Sequence, residues 1–171
     1  MIYTSEKEIA KHLKNKIKID NNSLVFLHLN ISGLGILKNG MTSIINAFSK
    51  VLKKGVLVIP TFTYSWSNKK KFSTKTLCDP KNVGLFSNFV LKSKKFKRTH
   101  NPNFSVAVMD NTKGKSIEKR LINKKTVLTC FGKNSVFDIM YNYSKKKKSF
   151  IILLGGAHDD VQFRTTFLHY I

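Results

Sequence analysis

Ser23–Phe62, SLVFLHLNISGLGILKNGMTSIINAFSKVLKKGVLVIPTF, decides the fold. It opens on a nearly continuous apolar run, SLVFLHL, which suits a strand buried on both faces. A glycine-bearing loop follows. MTSIINAFSKVL then places Met41, Ile44, Ile45, Phe48, Val51 and Leu52 on one stripe at helical spacing, with Gly55 behind it as a stop. GVLVIPTF gives a second buried strand, ended by Pro60, which has no N–H for a ladder. Strand, helix and strand alternate here as they do in a sheet with helices on its faces.

The pattern continues outward in both directions. Ser5 and Glu8 form an S-x-x-E capping box, after which Ile9, Leu13 and Ile17 recur at helical spacing. Thr63 to Asn82 dissolves into Ser, Thr, Lys and Asn around Trp66 and reads as a long loop, functional or mobile. VGLFSNFVL reads as a helix, FSVAVM as a strand, KGKSIEKRLINK as a polar surface helix and NSVFDIMY as a short helix with a Ser or Asn start. KKKK at Lys145–Lys148 is a solvated turn before SFIILLGG, the most hydrophobic strand. The alternation predicts an α/β fold with helices on both faces of a sheet. No repeat and no internal boundary interrupts residues 1–171, so a single domain is expected.

Composition narrows the function classes. The 171 residues are 42% hydrophobic and 11% aromatic, as in a globular chain with a real core. Lys+Arg 31 against Asp+Glu 9 gives a net charge of +22, which favours anionic partners. Almost all of that charge is lysine, since Arg98, Arg120 and Arg164 are the arginines. Lysine neutralises phosphate without the planar fork that reads bases, so no specific nucleic-acid partner is expected. Cys78 and Cys130 have neither zinc-site spacing nor the density of a disulfide scaffold, and read as reduced thiols. No stretch has the length of a membrane span, and the first residues mix acids with lysines unlike a secretory leader, so the expected compartment is the cytoplasm.

Polar residues cluster where strands end, which is where such folds gather ligands. HLNISGLGILKNG follows the first strand, and its glycines permit close backbone approach. PTFTYSW brings hydroxyls to the end of the second. RTHNPNFSV contains an Asn101-Pro102 turn and starts a strand at Ser105. The last cluster, GGAHDDVQFRTTFLHYI, holds His158, Asp159, Asp160, Thr166 and His169. Histidine is the natural proton acceptor near neutral pH, and on a helix Thr166 and His169 share a face. A lone histidine on an apolar helix is equally a satisfied core residue.

Taken in order, these clusters resemble one family, the aminoglycoside 3-N-acetyltransferases or antibiotic N-acetyltransferases, from about Leu24 to the C-terminus. HLNISGLG keeps His28, Ser32 and Gly35 of a His-Ser-Ser-Leu-Ser-x-x-Gly segment, with Leu29 and Asn30 replacing two serines. Asn39-Gly40 matches a Gly-Gly helix start, Pro60 to Thr63 match Pro-Thr-Phe-Thr, and Arg98 to Ser105 match Arg-Ser/Thr-x-His/Asp/Asn-Pro-x-x-Ser. FGKNSV follows Phe-Gly-x-x-Ser-Pro with Val136 for the proline, and Thr166 and His169 match Thr-x-x-His-x-x-Glu.

The resemblance implies a three-layer α/β/α sandwich around a central mixed sheet, acetyl-CoA as co-substrate with no metal, and transfer of acetyl to a small-molecule amino sugar. It implies His169 as general base and Thr166 as the hydroxyl near the thioester. It also implies Asn30, Ser32, Thr61, Thr63 and Ser105 along the pantetheine channel, and His158, Asp159 and Asp160 toward the acceptor. The matching Glu position falls after Ile171, so the domain is expected to be C-terminally incomplete and weak or inactive in transfer. Nine acids are few for a polycationic aminoglycoside, so a nucleotide-linked or glycan-bound amino sugar is an alternative acceptor. A CoA-binding homologue without turnover is another alternative.

Overall fold

The computed structural model describes residues 3–64, 72–111, 117–123 and 130–155. Seven strands occur there: β1 (Tyr3–Thr4), β2 (Leu24–Leu29), β3 (Ile36–Leu37), β4 (Val56–Pro60), β5 (Lys97–Arg98), β6 (Val106–Asp110) and β7 (Ser149–Leu154). The helices are α1 (Glu6–Asn15), α2 (Thr42–Val51), α3 (Pro80–Val83), α4 (Leu85–Leu91), α5 (Glu118–Leu121) and α6 (Val136–Ser144), with a 3-10 turn at Ile31–Leu34. The main sheet runs β5-β6-β4-β2-β7, and β1 pairs with β3 apart from it. β4, β2 and β7 are parallel, while β6 lies antiparallel to β4 and β5 antiparallel to β6, so the sheet is mixed.

The period of two along each strand divides the core into two layers. Val25 and Leu27 of β2 join Leu57, Ile59 and Ile152 under α1, α2 and α4, where Leu13, Ile44, Phe48, Phe86 and Val90 are buried. Leu24 and Phe26 face the other way, with Val58 and Val108, toward Leu121, Val136, Phe137 and Met140 of α5 and α6. Helices on both faces of a mixed sheet make the three layers expected from the sequence. No described helix is long and apolar enough to cross a membrane.

Local sequence explains most of the helix starts. Ser5 and Glu8 close the capping box of α1, satisfying two orphan N–H groups at once. Ser135 accepts from the Asp138 N–H and starts α6. α2 has no side-chain cap and is held by its buried stripe, Ile44, Ile45, Phe48 and Val51. Truncating Phe48 to Ala therefore removes about 3–5 kcal/mol.

Three elements depart from the sequence reading. The helical spacing of VGLFSNFVL is split at Gly84, whose φ of 78° ends α3 and starts α4. The polar surface helix is, among the described residues, one turn at Glu118–Leu121, exposed at Lys119 and Arg120 but buried on its other side. Leu121 and Ile117 are buried, and Glu118 is held by an ion pair with Lys97 of β5. The hydrophobic β7 buries Ile152 but leaves Ile151 and Leu153 about half exposed, because among the described residues no helix covers their face.

The connections bring several loops to one end of the sheet, the carboxyl ends of β4, β2 and β7. β2 leads through α2 to β4 on one side, whereas its other neighbour, β7, arrives much later in the chain. Between β2 and β7 lies the switch point at which open α/β sheets bind ligands. The two backbones touch there: the Asn30 N–H donates to the Leu154 carbonyl at 2.9 Å. A Cβ on Gly33 would run into the Gly155 carbonyl, and one on Gly155, where φ is 73°, into the Asn30 carbonyl. Gly33→Ala and Gly155→Ala are each expected to cost about 2–3 kcal/mol in urea unfolding. The double variant should lose less than the sum, because both changes break the same contact.

Candidate functional site

Arg98 organises the carboxyl end of β4. It is the last residue of β5 and is buried. Its Nε donates to Ser105 Oγ at 3.2 Å, and Nη2 donates to Ser105 Oγ at 3.0 Å and to Thr63 Oγ1 at 2.6 Å. Nη2 also donates to the Thr61 carbonyl and Nη1 to the Thr76 carbonyl. The Phe72 ring lies 4.8 Å from the guanidinium carbon, a cation–π contact. Among the described residues no carboxylate lies within ion-pair distance of Arg98. Burial pushes its pKa below the ordinary value, an effect partly opposed by Cys78.

The hydroxyls around it are tied to one another as well. Ser105 Oγ donates to the Thr61 carbonyl at 2.7 Å, Thr61 Oγ1 to Ser105 Oγ at 3.3 Å, and the Thr61 N–H to the Ser105 carbonyl at 2.8 Å. The Asn101-Pro102 turn contributes through the Pro102 carbonyl, which accepts from the Thr63 N–H at 3.0 Å. One guanidinium thus joins four segments: the end of β4, the chain at Thr76, the end of β5 and the start of β6. Cys78, beside it, is a buried thiol whose pKa burial raises, so it stays protonated at neutral pH.

One strand away, Asn30 and Ser32 are exposed on the turn that leaves β2. Asn30 Oδ1 accepts from the Ser32 N–H at 3.2 Å and from its hydroxyl, the local side-chain bonding that favours Asn at such a turn. His28, two residues before Asn30, points to the α6 side with Phe26, the ring centroids 4.7 Å apart. Its burial holds the imidazole pKa down to about 3, so it is neutral through the physiological range. Phe62, Tyr64, Phe104, Phe131 and Phe137 form a continuous aromatic cluster beside the Arg98 group, with Tyr64 and Phe131 exposed at its rim.

The structure therefore brings Thr61, Thr63 and Ser105 together around Arg98 and places Asn30 and Ser32 apart from them at the mouth of the same end. His158, Asp159, Asp160, Thr166 and His169 lie outside the described residues. Arg98 itself carries no role in the sequence reading. A signal was present: it is one of three arginines in a lysine-rich chain, and it opens the RTHNPNFS segment. Among the described residues no group of three His, Cys, Asp or Glu side chains is placed to hold a metal ion.

Two outcomes follow from this geometry. Arg98→Met should destabilise by about 3 kcal/mol or more, and Arg98→Lys should recover little, because a point charge cannot reach acceptors spread over a planar fork. Denaturant unfolding of both variants beside Ser105→Ala, expected to lose about 1–2 kcal/mol, checks the order. For His28 the folded pKa, about 3, lies below the unfolded value of 6.5. The neutral form is the stable one, so its contribution is full above pH 6.5 and is lost as pH falls from 6.5 toward 3. The total is on the order of 5 kcal/mol. Urea unfolding at pH 7, 6 and 5 should show this slope, and His28→Leu should flatten it.

Comparison with known proteins places this geometry. A family model described as aminoglycoside 3-N-acetyltransferase matches residues 26–171. No curated protein sequence matches the chain. Among solved structures, AAC-IIIb in a binary complex with CoASH superposes with a TM-score of 0.73 at 13% identity, covering 96% of this chain and 64% of that one. YokD protein from Bacillus subtilis gives 0.68 at 16% identity, with 88% and 64% covered. A variant of AAC(3)-IVa in complex with a gentamicin gives 0.72 at 17% identity, with 95% and 58% covered. The chain thus spans 58–64% of the length of these structures, and the likeness is one of fold.

Proposed function

We propose that this chain, which belongs to the aminoglycoside 3-N-acetyltransferase family, binds acetyl-CoA at the carboxyl end of its sheet and transfers the acetyl group to an amine of an aminoglycoside or related amino sugar. The observation that carries the proposal is the family match over residues 26–171, which contains every polar cluster described above. The solved relatives with the same fold include one holding CoASH and one holding a gentamicin.

The residues present suit such a ligand. Asn30 and Ser32 expose short polar side chains at the switch point, where Gly33 and Gly155 pack backbone against backbone and hold the turn in place. Thr61, Thr63 and Ser105 are buried around Arg98, and in this reading they support the pantetheine channel from beneath by fixing the strand ends. Exposed lysines around this end supply charge for phosphates. His158, Asp159 and Asp160 are assigned to the acceptor side.

Acetyl-CoA, when bound, supplies the thioester carbonyl that the acceptor amine attacks. His169 takes the proton from that amine as the new C–N bond forms, which is general-base catalysis; the acyl C–S bond then breaks, and the proton passes to the departing sulfur so that CoA leaves as the free thiol. Thr166, three residues earlier, directs its hydroxyl at the thioester, where a hydroxyl donor stabilises charge on the carbonyl oxygen. Arg98 acts through the strand ends it holds and touches neither reactant.

Titration calorimetry with acetyl-CoA and an assay of free CoA thiol with a panel of amino sugars test the proposal. Acetyl-CoA should bind, and thiol should be released only when an acceptor amine is present. His169→Ala should lower turnover by about 10²- to 10⁴-fold while acetyl-CoA affinity stays within a few-fold. Turnover that survives His169→Ala unchanged would remove the histidine from the mechanism.

A further inference from the structure

The edge of the sheet opposite the crevice gathers lysines from four separate segments. β2, β4 and β7 are parallel, and β5 points the same way because it is antiparallel to β6, itself antiparallel to β4. The amino ends of these four strands therefore share one edge. Lys16 and Lys18 precede β2, and Lys53 and Lys54 precede β4. Lys94 and Lys95 precede β5, and Lys145–Lys148 precede β7; all of these lysines are exposed. With neighbouring strands about 4.8 Å apart, the five-stranded edge is about 20 Å long. Beside it, Lys14, Lys50 and Lys53 line a cavity of about 360 Å³ between the ends of α1 and α2.

The loops of this edge are tied to one another. Lys148 Nζ donates to the Lys18 carbonyl at 3.0 Å, and the Lys148 carbonyl accepts from the Leu24 N–H at 3.0 Å. The Lys54 N–H donates to the Asn21 carbonyl at 2.8 Å, and Asn111 Nδ2 to the Leu52 carbonyl at 2.6 Å. The lysines are thus carried on a fixed line. Few acids oppose them. Glu6 is paired with Lys50 and Glu118 with Lys97. Asp20, which also lines the cavity, turns Oδ1 back onto the Asn22 N–H and Ser23 Oγ, and Asp110 at the end of β6 is half-buried. Residues 112–116 follow β6 here and lie outside the described residues; their sequence, TKGKS, holds no acid. Asp159 and Asp160, the acids outside the described residues, follow the far end of β7.

Helix dipoles favour Lys14 and Lys50, in the last turns of α1 and α2. They do not account for Lys54, Lys95 or Lys148, which sit beyond the helices at the strand starts, where like charges on adjacent loops repel. A partner with its own row of negative charge relieves that repulsion. A membrane-binding face carries apolar side chains for insertion. Here the exposed Ile36, Leu77 and Leu85 lie in other segments, and Tyr141 has Lys145 Nζ 4.3 Å from its ring centroid. A line of point charges suits a linear phosphodiester chain, whose charges repeat every few ångströms. Lysine ammonium groups neutralise phosphate but lack the fork that reads bases. We infer that the amino edge of the sheet binds the phosphate backbone of a nucleic acid without regard to sequence, at a surface separate from the acyl-transfer crevice.

Fluorescence anisotropy with short labelled RNA and DNA, single-stranded and duplex and of unrelated sequences, tests this on the full chain over a series of salt concentrations. The amino-edge variant is Lys54→Gln, Lys146→Gln and Lys147→Gln together. Its control removes the same charge at the other end, through Lys75→Gln, Lys81→Gln and Lys133→Gln. All six positions are exposed, so both variants keep the fold. At least one form of nucleic acid should bind with an affinity that falls steeply as salt rises and is alike for unrelated sequences. The amino-edge variant should bind about tenfold or more weakly, its salt slope reduced by about one for each lysine that contacts phosphate, and the control should stay within about threefold. Saturating acetyl-CoA should leave binding unchanged. An equal loss in both variants overturns the inference, since the charge then acts from the whole surface. Displacement by acetyl-CoA overturns it by putting the nucleic acid in the crevice, and tighter binding to phosphatidylserine vesicles than to any nucleic acid overturns it in favour of a membrane. No binding of nucleic acid at low salt also overturns it. None of these outcomes alters the acyl-transfer reading, which the acetylation assay decides.

Discussion

A buried guanidinium without a counter-charge is costly unless its donors are satisfied, and Arg98 meets that condition with carbonyls and hydroxyls alone. That requirement fixes the carboxyl end of β4. The Thr61 and Thr76 carbonyls must point inward, and Thr63 and Ser105 must offer oxygens at hydrogen-bond distance. The Asn101-Pro102 turn must also lie where its carbonyl can hold the Thr63 amide. Residues far apart in sequence become one rigid floor. The stems on either side of residues 64–72 are set by the same side chain.

The switch point on the other side of β2 is fixed by an absence of atoms. Gly33 and Gly155 allow the turn after β2 and the end of β7 to pack backbone against backbone at the switch point. A side chain on either would part them. The floor around Arg98 and this glycine contact hold the strand ends in register from opposite sides of β2. Chemistry that needs an ångström-scale arrangement of a thioester and an amine requires such a frame. The two neutral groups nearest the frame, His28 and Cys78, are kept uncharged by burial, so they add no competing charge to it.

The electrostatic character of the described surface follows from where the acids are committed. Carboxylates on this chain are scarce, and in the described residues they hold helix starts, turns and ion pairs. Family membership establishes a common ancestor and a common sheet. It does not transmit the charge of the acceptor pocket, which is set by side chains at loop positions that differ freely within one fold.

Sequence by itself determined the alternation of strands and helices, the capping box at Ser5 and Glu8, the buried stripe of α2 and the identity of the segments that reach the carboxyl end. These depend on period and on local hydrogen bonding, which neighbouring residues carry among themselves. It also located Thr61, Thr63 and Ser105, but not the reason they converge, because Arg98 lies thirty-five residues beyond Thr63. The burial of α5, the split at Gly84 and the half-exposed face of β7 belong to the tertiary structure. So do the depressed pKa of His28 and the contact of Gly33 with Gly155. Each depends on what other segments bring within a few ångströms, which no local window of sequence contains.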